Sequence, residues 1–176
     1  PVLIPLLASA LMLLTRDSQR RLRVILGAGA LGLMALTALM LVRATQGSGA
    51  PRWPDDIGVY LLGNWPAPFG IVLVADRLSA LMLGLTAVLG LCAWIYATAR
   101  WDRAGSHFHP LFLLIMMGLN GAFLAGDLFT LFVFFEILLT ASYGLMLHGS
   151  GKRRVGAALH YIAVNLIASF LLLVAI

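Results

Sequence analysis

Charged residues are scarce in this sequence. They make up 11% of its 176 residues, whereas a soluble domain normally carries about a quarter. Hydrophobic residues make up 61%, and the mean hydropathy is +0.98. Because so few charges cannot cover a water-facing surface, the composition excludes an ordinary soluble domain. It favours lipid as the solvent, since lipid requires long apolar runs.

Cysteine and enzyme motifs are nearly absent as well. The single cysteine, Cys92, lies inside an apolar run, so an internal disulfide is excluded and a packing role is favoured. The sequence has no Ser–His–Asp set, no HExxH, no paired intramembrane aspartates and no CxxCH, which argues against an intramembrane protease or a haem carrier. His107 and His109 form a His-x-His pair without a carboxylate or cysteine nearby, so no metal site and no cofactor are expected.

Six apolar segments predict an all-α membrane protein, a bundle of about six transmembrane helices. They are 1–15, 24–42, 78–99, 110–126, 128–147 and 155–176, and a spanning helix needs about 17–25 residues. Both ends of the chain interrupt an apolar run, so we interpret 1–176 as a single multi-pass domain truncated at both ends. Pro110 is expected to open the fourth helix. Gly118, Ala122 and Gly126 are four residues apart and predict the close approach of another helix.

The loops between these segments differ in charge. The sequence pI is near 10.2, yet the basic residues lie in short clusters between apolar runs, which argues against a nucleic-acid partner. The first, third and fifth loops carry nine of the twelve basic residues, namely Arg16, Arg20, Arg21, Arg23, Arg100, Arg103, Lys152, Arg153 and Arg154. Since basic loops remain in the cytoplasm, the loops near 16–23, 100–109 and 148–154 are predicted to be cytoplasmic and the N-terminus outside.

The second loop is the only long one. Two short apolar runs, 57–62 and 69–74, flank a turn-rich stretch at 63–68, and this pattern predicts a β-hairpin on the outer surface. Asp76 and Arg77, at the end of the loop, are expected to pair with each other. All four tryptophans are expected at membrane interfaces: Trp53, Trp65, Trp94 and Trp101.

Glu136 is the only fully charged residue inside a predicted span, at the ninth of the twenty positions in 128–147. A charge at the centre of a bilayer costs roughly 2.5–3.5 kcal/mol on insertion scales, and such residues usually mark proton or ion paths. Thr140 and Tyr143 follow on the same helix face, where their hydroxyls could order water or pass on a proton. The alternative is a structural glutamate that pairs with a basic group and never titrates.

Polar residues recur every four positions in the sixth segment, at Tyr161, Asn165 and Ser169. Asn165 is at mid-membrane and is expected to bond with a partner on another helix. His160 lies towards the cytoplasmic end, where an imidazole with an ordinary pKa near 6.5 could admit protons. The plainer alternatives are an interhelical hydrogen bond for Asn165 and an interfacial position for His160.

Two stretches carry a resemblance to a known family. One is 63–79, GNWPAPFGIVLVADRLS, and the other begins NGAFLAGDLFTLFVFFE at residue 120 and continues to Tyr143. Both resemble the D subunit of the multisubunit Mrp-type sodium/proton antiporter, which is similar to the antiporter-like subunits of respiratory complex I. The similarity runs over nearly the whole chain.

The resemblance implies an N-terminal fragment, six of about fourteen helices, from a subunit of a hetero-oligomeric complex in the bacterial cytoplasmic membrane. Its partners would be the other subunits, the lipid bilayer, protons and Na⁺ or another monovalent cation. Glu136 corresponds to the family's fifth-helix glutamate, which is essential for ion translocation and pairs with a lysine beyond Ile176. A secondary transporter subunit, not an enzyme, is therefore predicted. The alternatives are a proton-pumping subunit of complex I or of a membrane-bound hydrogenase, and a scaffold helix bundle without a transport role.

Overall fold

A computed structural model describes residues 1–15, 19–46, 56–65, 70–105, 107–149 and 151–176. These residues form six α-helices and one two-stranded antiparallel sheet. In chain order the elements are α1 (Leu3–Leu14), α2 (Arg20–Thr45), β1 (Gly58–Leu61), β2 (Val72–Ala75), α3 (Arg77–Arg100), α4 (Phe108–Leu124), α5 (Leu128–Met146) and α6 (Lys152–Ala175). Short 3₁₀ turns follow β1 at Leu62–Asn64 and α3 at Trp101–Ala104. The predicted helical bundle with a small hairpin is confirmed.

Four of the described helices, α2, α3, α5 and α6, are long and apolar enough to cross a membrane. The other two are shorter, since α1 has 12 residues and α4 has 17. The division of the chain into six membrane spans therefore remains a prediction. Pro110 is the third residue of α4, not the first. It still disturbs no hydrogen bond, because the helix ladder starts with Leu111 N–H donating to His107 O over 3.2 Å.

The core lies between α1, α2, α3 and α4. Its largest fully buried side chain is Trp94 on α3, which is 2% exposed, so the expectation that Trp94 anchors the membrane interface is wrong. Gly27 on α2 makes room for this ring, because a Cβ there would lie 2.0 Å from the Trp94 Cζ2 atom. Trp65 and Trp101 are exposed. Trp53 lies outside the described residues.

The hairpin pairs β1 with β2 from Gly58 opposite Ala75 to Leu61 opposite Val72. The predicted runs 57–62 and 69–74 overlap these strands, because short apolar, β-rich runs on either side of a turn are a local signal. Asp76 does not pair with Arg77 as expected. Its carboxylate caps α3 by accepting the Ser79 N–H over 2.7 Å, and Arg77 instead donates to Asp56 Oδ2 over 2.8 Å.

The first, third and fifth loops meet at one end of the bundle. Arg20 at the start of α2 pairs with Asp102 after α3, while Arg154 at the start of α6 lies 5.2 Å from the centre of the Trp101 ring. This convergence fits the predicted grouping of the basic loops. Arg16 and the side chains of Arg103, Lys152 and Arg153 lie outside the described part of the chain.

Candidate functional site

The helix that carries Glu136 begins at a firmly held N-terminus. Asp127 caps α5, its Oδ1 atom accepting the Thr130 N–H over 2.7 Å and its Oδ2 atom accepting the Thr130 hydroxyl over 2.6 Å. A carboxylate at this position satisfies backbone donors that the helix leaves unpaired. From this start, Glu136 is the ninth of the nineteen residues of α5. Its position at the middle of the helix, predicted from the sequence, is confirmed.

Glycines on α4 fix the rotation of α5. A Cβ on Gly118 would lie 2.8 Å from the Leu138 backbone nitrogen, and one on Gly121 would lie 2.1 Å from the Phe134 ring. Phe134 and Leu138 therefore face α4 across a close contact. The predicted close approach at Gly118 is confirmed, whereas Gly121 lies off the predicted small-residue stripe. Because successive helical residues turn by about 100°, Glu136 lies on the opposite side of α5 from α4.

One carboxylate oxygen of Glu136 is buried without a hydrogen-bond partner. The residue as a whole is half-buried, but its Oε1 atom is shielded from solvent and accepts no hydrogen bond from the described residues. Leaving a buried polar atom unpaired costs about 1–3 kcal/mol, and more when the group is charged. Native proteins satisfy most such atoms, so an exception needs a functional or structural cause.

Tyr143 lies seven residues beyond Glu136, two turns along the same face of α5. Its ring meets the Tyr161 ring of α6 edge-on, with centroids 5.7 Å apart. The structure therefore brings Glu136, Tyr143 and Tyr161 to one side of α5. Thr140 is exposed on this side.

The remaining predicted residues lie on α6. Asn165 donates through Nδ2 to the Tyr161 carbonyl over 2.8 Å, so the partner is on its own helix and not on another helix as expected. His160 is exposed and lies about two turns into α6, because that helix starts at Lys152, earlier than predicted. Among the described residues, neither side chain hydrogen-bonds to Glu136.

A second polar cluster, the Arg20–Asp102–His109 cluster, was not predicted from the sequence. Arg20 donates to both oxygens of Asp102, with Nε–Oδ2 at 2.7 Å and Nη2–Oδ1 at 3.0 Å. His109 Nε2 lies 3.4 Å from the same Oδ2 atom. The Asp102 side chain is fully buried, so the assumption that no carboxylate lies near the histidine pair is wrong. The available signal was Asp102 itself, an acidic residue in a basic loop.

The chain matches the family model described as "NADH:quinone oxidoreductase/Mrp antiporter, TM" over residues 125–176. This segment contains Glu136, Tyr143, His160 and Asn165. The match therefore covers α5 and α6, the two helices on which the candidate site is built.

Curated relatives match the chain from end to end. It is 56% identical to the probable D subunit of a K⁺/H⁺ antiporter of Rhizobium meliloti over 177 residues, which is 100% of this chain and 32% of that protein. It is 37% identical to the D subunit of a Na⁺/H⁺ antiporter of Alkalihalophilus pseudofirmus, covering 100% of this chain and 34% of that protein. The chain thus spans about a third of the length of these relatives.

Solved structures agree. A chain of the Mrp complex from Dietzia sp. DQ12-45-1b superposes with a TM-score of 0.85 at 35% identity, over 98% of this chain and 32% of that one. A chain of the membrane-bound sulfane sulfur reductase, an archaeal respiratory membrane complex, gives 0.80 at 25% identity, over 98% and 34%. The predicted resemblance is thereby confirmed: this chain is a multi-pass membrane protein with an antiporter-like fold, and along its whole length it is similar to part of the D subunits of Mrp-type cation/proton antiporters.

Proposed function

We propose that this chain forms part of a proton path in a multisubunit monovalent cation/proton antiporter, with Glu136 as the group that gains and loses the proton. The observation that carries the proposal is the buried, unpartnered Oε1 atom of Glu136 at the middle of an apolar helix. Ionisable groups in such positions typically serve ion or proton transfer. The names of the relatives give the same class of transport.

To bind and release a proton, Glu136 needs a positive charge that alternately approaches and withdraws from its carboxylate. A cation within about 4–6 Å favours the charged carboxylate, and its withdrawal favours the protonated form. Lys152 is the only lysine of this sequence and is the first residue of α6, at the end of that helix, so the basic partner would come from outside these 176 residues. Alternation between the two states would load and unload the proton.

The proposed path runs from the cytoplasmic end of α5 and α6. There Tyr143 and Tyr161 meet, with Asn165 one turn further along α6 and His160 beside them in sequence. We assign these residues, with Thr140, as carriers or orienting groups for water. We place the chain in the inner membrane of a bacterium, with its N-terminus outside and the Arg20–Asp102–His109 cluster on the cytoplasmic side. The other antiporter subunits would complete the ion path.

The test is Glu136→Gln in the complete antiporter complex, assayed in everted vesicles by proton exchange against Na⁺ and, separately, K⁺. We expect exchange to be lost with both cations while complex assembly, measured by co-purification, is retained. Ser142→Ala is the matched control, because among the described residues this hydroxyl bonds to the Leu139 carbonyl within α5. Normal exchange by Glu136→Gln would refute the proposal. Loss of assembly with transport retained per assembled complex would indicate the scaffold alternative.

A redox-driven pump is the second candidate, because the chain is also 39% identical over 173 residues to the N subunit of an NADH-quinone oxidoreductase of Desulforudis audaxviator. The same vesicles separate the two mechanisms. An antiporter exchanges protons when a cation gradient alone is imposed, whereas a redox pump moves them only when an electron donor is oxidised.

A further inference from the structure

The hairpin is bonded directly to the turn between α4 and α5. The Val72 carbonyl on β2 accepts the Gly126 N–H over 2.9 Å, and Leu73 forms an antiparallel bridge with Ala125. The Val72 N–H donates to the Thr130 hydroxyl over 3.3 Å. β2 is therefore hydrogen-bonded both to the turn that connects α4 with α5 and to the first helical turn of α5.

Thr130 joins this attachment to the cap of α5. Its hydroxyl accepts from Val72 and donates to Asp127 Oδ2, while its own N–H donates to Asp127 Oδ1. The residue is 0% exposed, so water cannot replace these bonds. Strand, turn and helix start thus form one hydrogen-bonded unit, the hairpin–α5 junction, made of Val72, Leu73, Ala125, Gly126, Asp127 and Thr130.

The junction is also sterically tight. A Cβ on Gly126 would lie 2.6 Å from Val74 Cγ2 and 2.9 Å from Val72 Cγ1. The opposite strand is exposed by contrast, with Val59 63% and Tyr60 60% accessible. The hairpin is therefore held to the bundle through β2.

We propose that the hairpin–α5 junction positions Glu136, with Thr130 as the positioning residue. Glu136 follows Thr130 by six residues of continuous helix, about 9 Å along the axis. A shift or rotation of α5 at Thr130 is transmitted to the carboxylate, because the helix between them is rigid. This inference rests on the proposed function of Glu136, and it gives the outer hairpin a role in proton transfer.

The first test is Thr130→Val in the complete complex, which keeps the side-chain shape but removes the hydroxyl. We expect exchange to fall by about tenfold or more and its pH profile to shift, because a displacement of about 1 Å at a reacting group can cost a hundredfold. Thr130→Ser should retain exchange, and Ser142→Ala should leave it unchanged. Gly126→Ala is a second variant that disturbs the junction without touching Thr130, and it should be relieved by adding Val74→Ala.

A reversible crosslink makes the test specific to position. Leu73 and Ala125 face each other beside the Gly126–Val72 bond, an arrangement in which Cα atoms are about 4.5 Å apart, within the range that a disulfide spans. Leu73→Cys with Ala125→Cys, in a Cys92→Ala background, should crosslink on oxidation. In the Thr130→Val protein the crosslink should restore most of the lost exchange, and reduction should abolish the gain.

The outcomes separate this inference from the proposed function. If Glu136→Gln exchanges normally, the proposed function itself fails. If Glu136→Gln is inactive but Thr130→Val shows wild-type exchange and pH profile, the positioning role alone is wrong. A Thr130→Val protein that crosslinks fully yet stays at its low rate also overturns it.

Discussion

Arg20→Met should destabilise the protein more than Asp102→Asn does, although both remove the same ion pair. The Asp102 side chain is 0% exposed and that of Arg20 is 39% exposed. Arg20→Met therefore strands a buried carboxylate, which costs about 3–5 kcal/mol. Asp102→Asn leaves a guanidinium that reaches water, and losses at such exposed charges are about 1 kcal/mol or less.

The difference should depend on pH. In Arg20→Met, His109 can still pair with Asp102 once protonated, because its Nε2 atom lies 3.4 Å from Asp102 Oδ2. Burial, and to a smaller extent the Arg20 charge, lowers the pKa of the His109 imidazole below its ordinary value near 6.5. Removal of Arg20 favours the protonated imidazole, so part of the lost stability should return as the pH falls below that ordinary value. Asp102→Asn should show no such recovery, because it leaves no carboxylate to neutralise.

The measurement is the thermal midpoint of the purified complex in detergent at pH 8 and pH 5.5, followed by size-exclusion chromatography of heated samples. Ser142→Ala, purified and heated in the same way, serves as the control variant. Equal midpoints for Arg20→Met and Asp102→Asn at pH 8 would refute the reasoning, as would a larger loss in Asp102→Asn. Either result would show that the buried charge of Asp102 does not depend on Arg20.

Three further predictions concern packing and capping, each measured as thermal stability. Gly121→Ala should cost about 1–3 kcal/mol by overpacking, because the added Cβ would lie 2.1 Å from the Phe134 ring. The control Gly29→Ala should cost nothing, because its added Cβ has no atom within 4 Å. Equal losses of stability in the two variants would contradict the argument. Leu113→Ala, at a residue that is 0% exposed, should cost about 2–5 kcal/mol, whereas Leu89→Ala at 59% exposure should cost far less. Asp76→Ala should cost about 0.5–1 kcal/mol of stability as a lost helix cap. Because the Ser79 N–H lowers the pKa of the Asp76 carboxyl, the wild-type protein should be more stable at neutral pH and lose this advantage as the pH falls through the lowered pKa. An advantage that survives in acid would refute the capping role.

Local features were predictable from the sequence. The hairpin follows from short apolar, β-rich runs around a turn, and the central position of Glu136 follows from the length of one apolar run. Both signals depend on neighbours within a few residues. Asp127 also shows its capping role locally, because it stands immediately before an apolar helix and three residues before Thr130.

Contacts between distant segments were not predictable. Arg20 and Asp102 are 82 residues apart, and Val72 and Thr130 are 58 apart. No periodicity relates such pairs, because helix packing in three dimensions brings them together. Trp94 shows the same limit: its place near the end of an apolar run indicated the membrane interface, but Gly27 on a neighbouring helix creates a buried site for it.

The separation of Arg20 from Asp102 bears on biogenesis. A ribosome that adds about 5–20 residues per second makes Asp102 roughly 4–16 s after Arg20. During this interval the guanidinium has to remain in water or among lipid headgroups, because its partner does not yet exist. The ion pair can close only after α2 and α3 have both been synthesised, so the contact between these two helices at this end of the bundle gains its ion pair late.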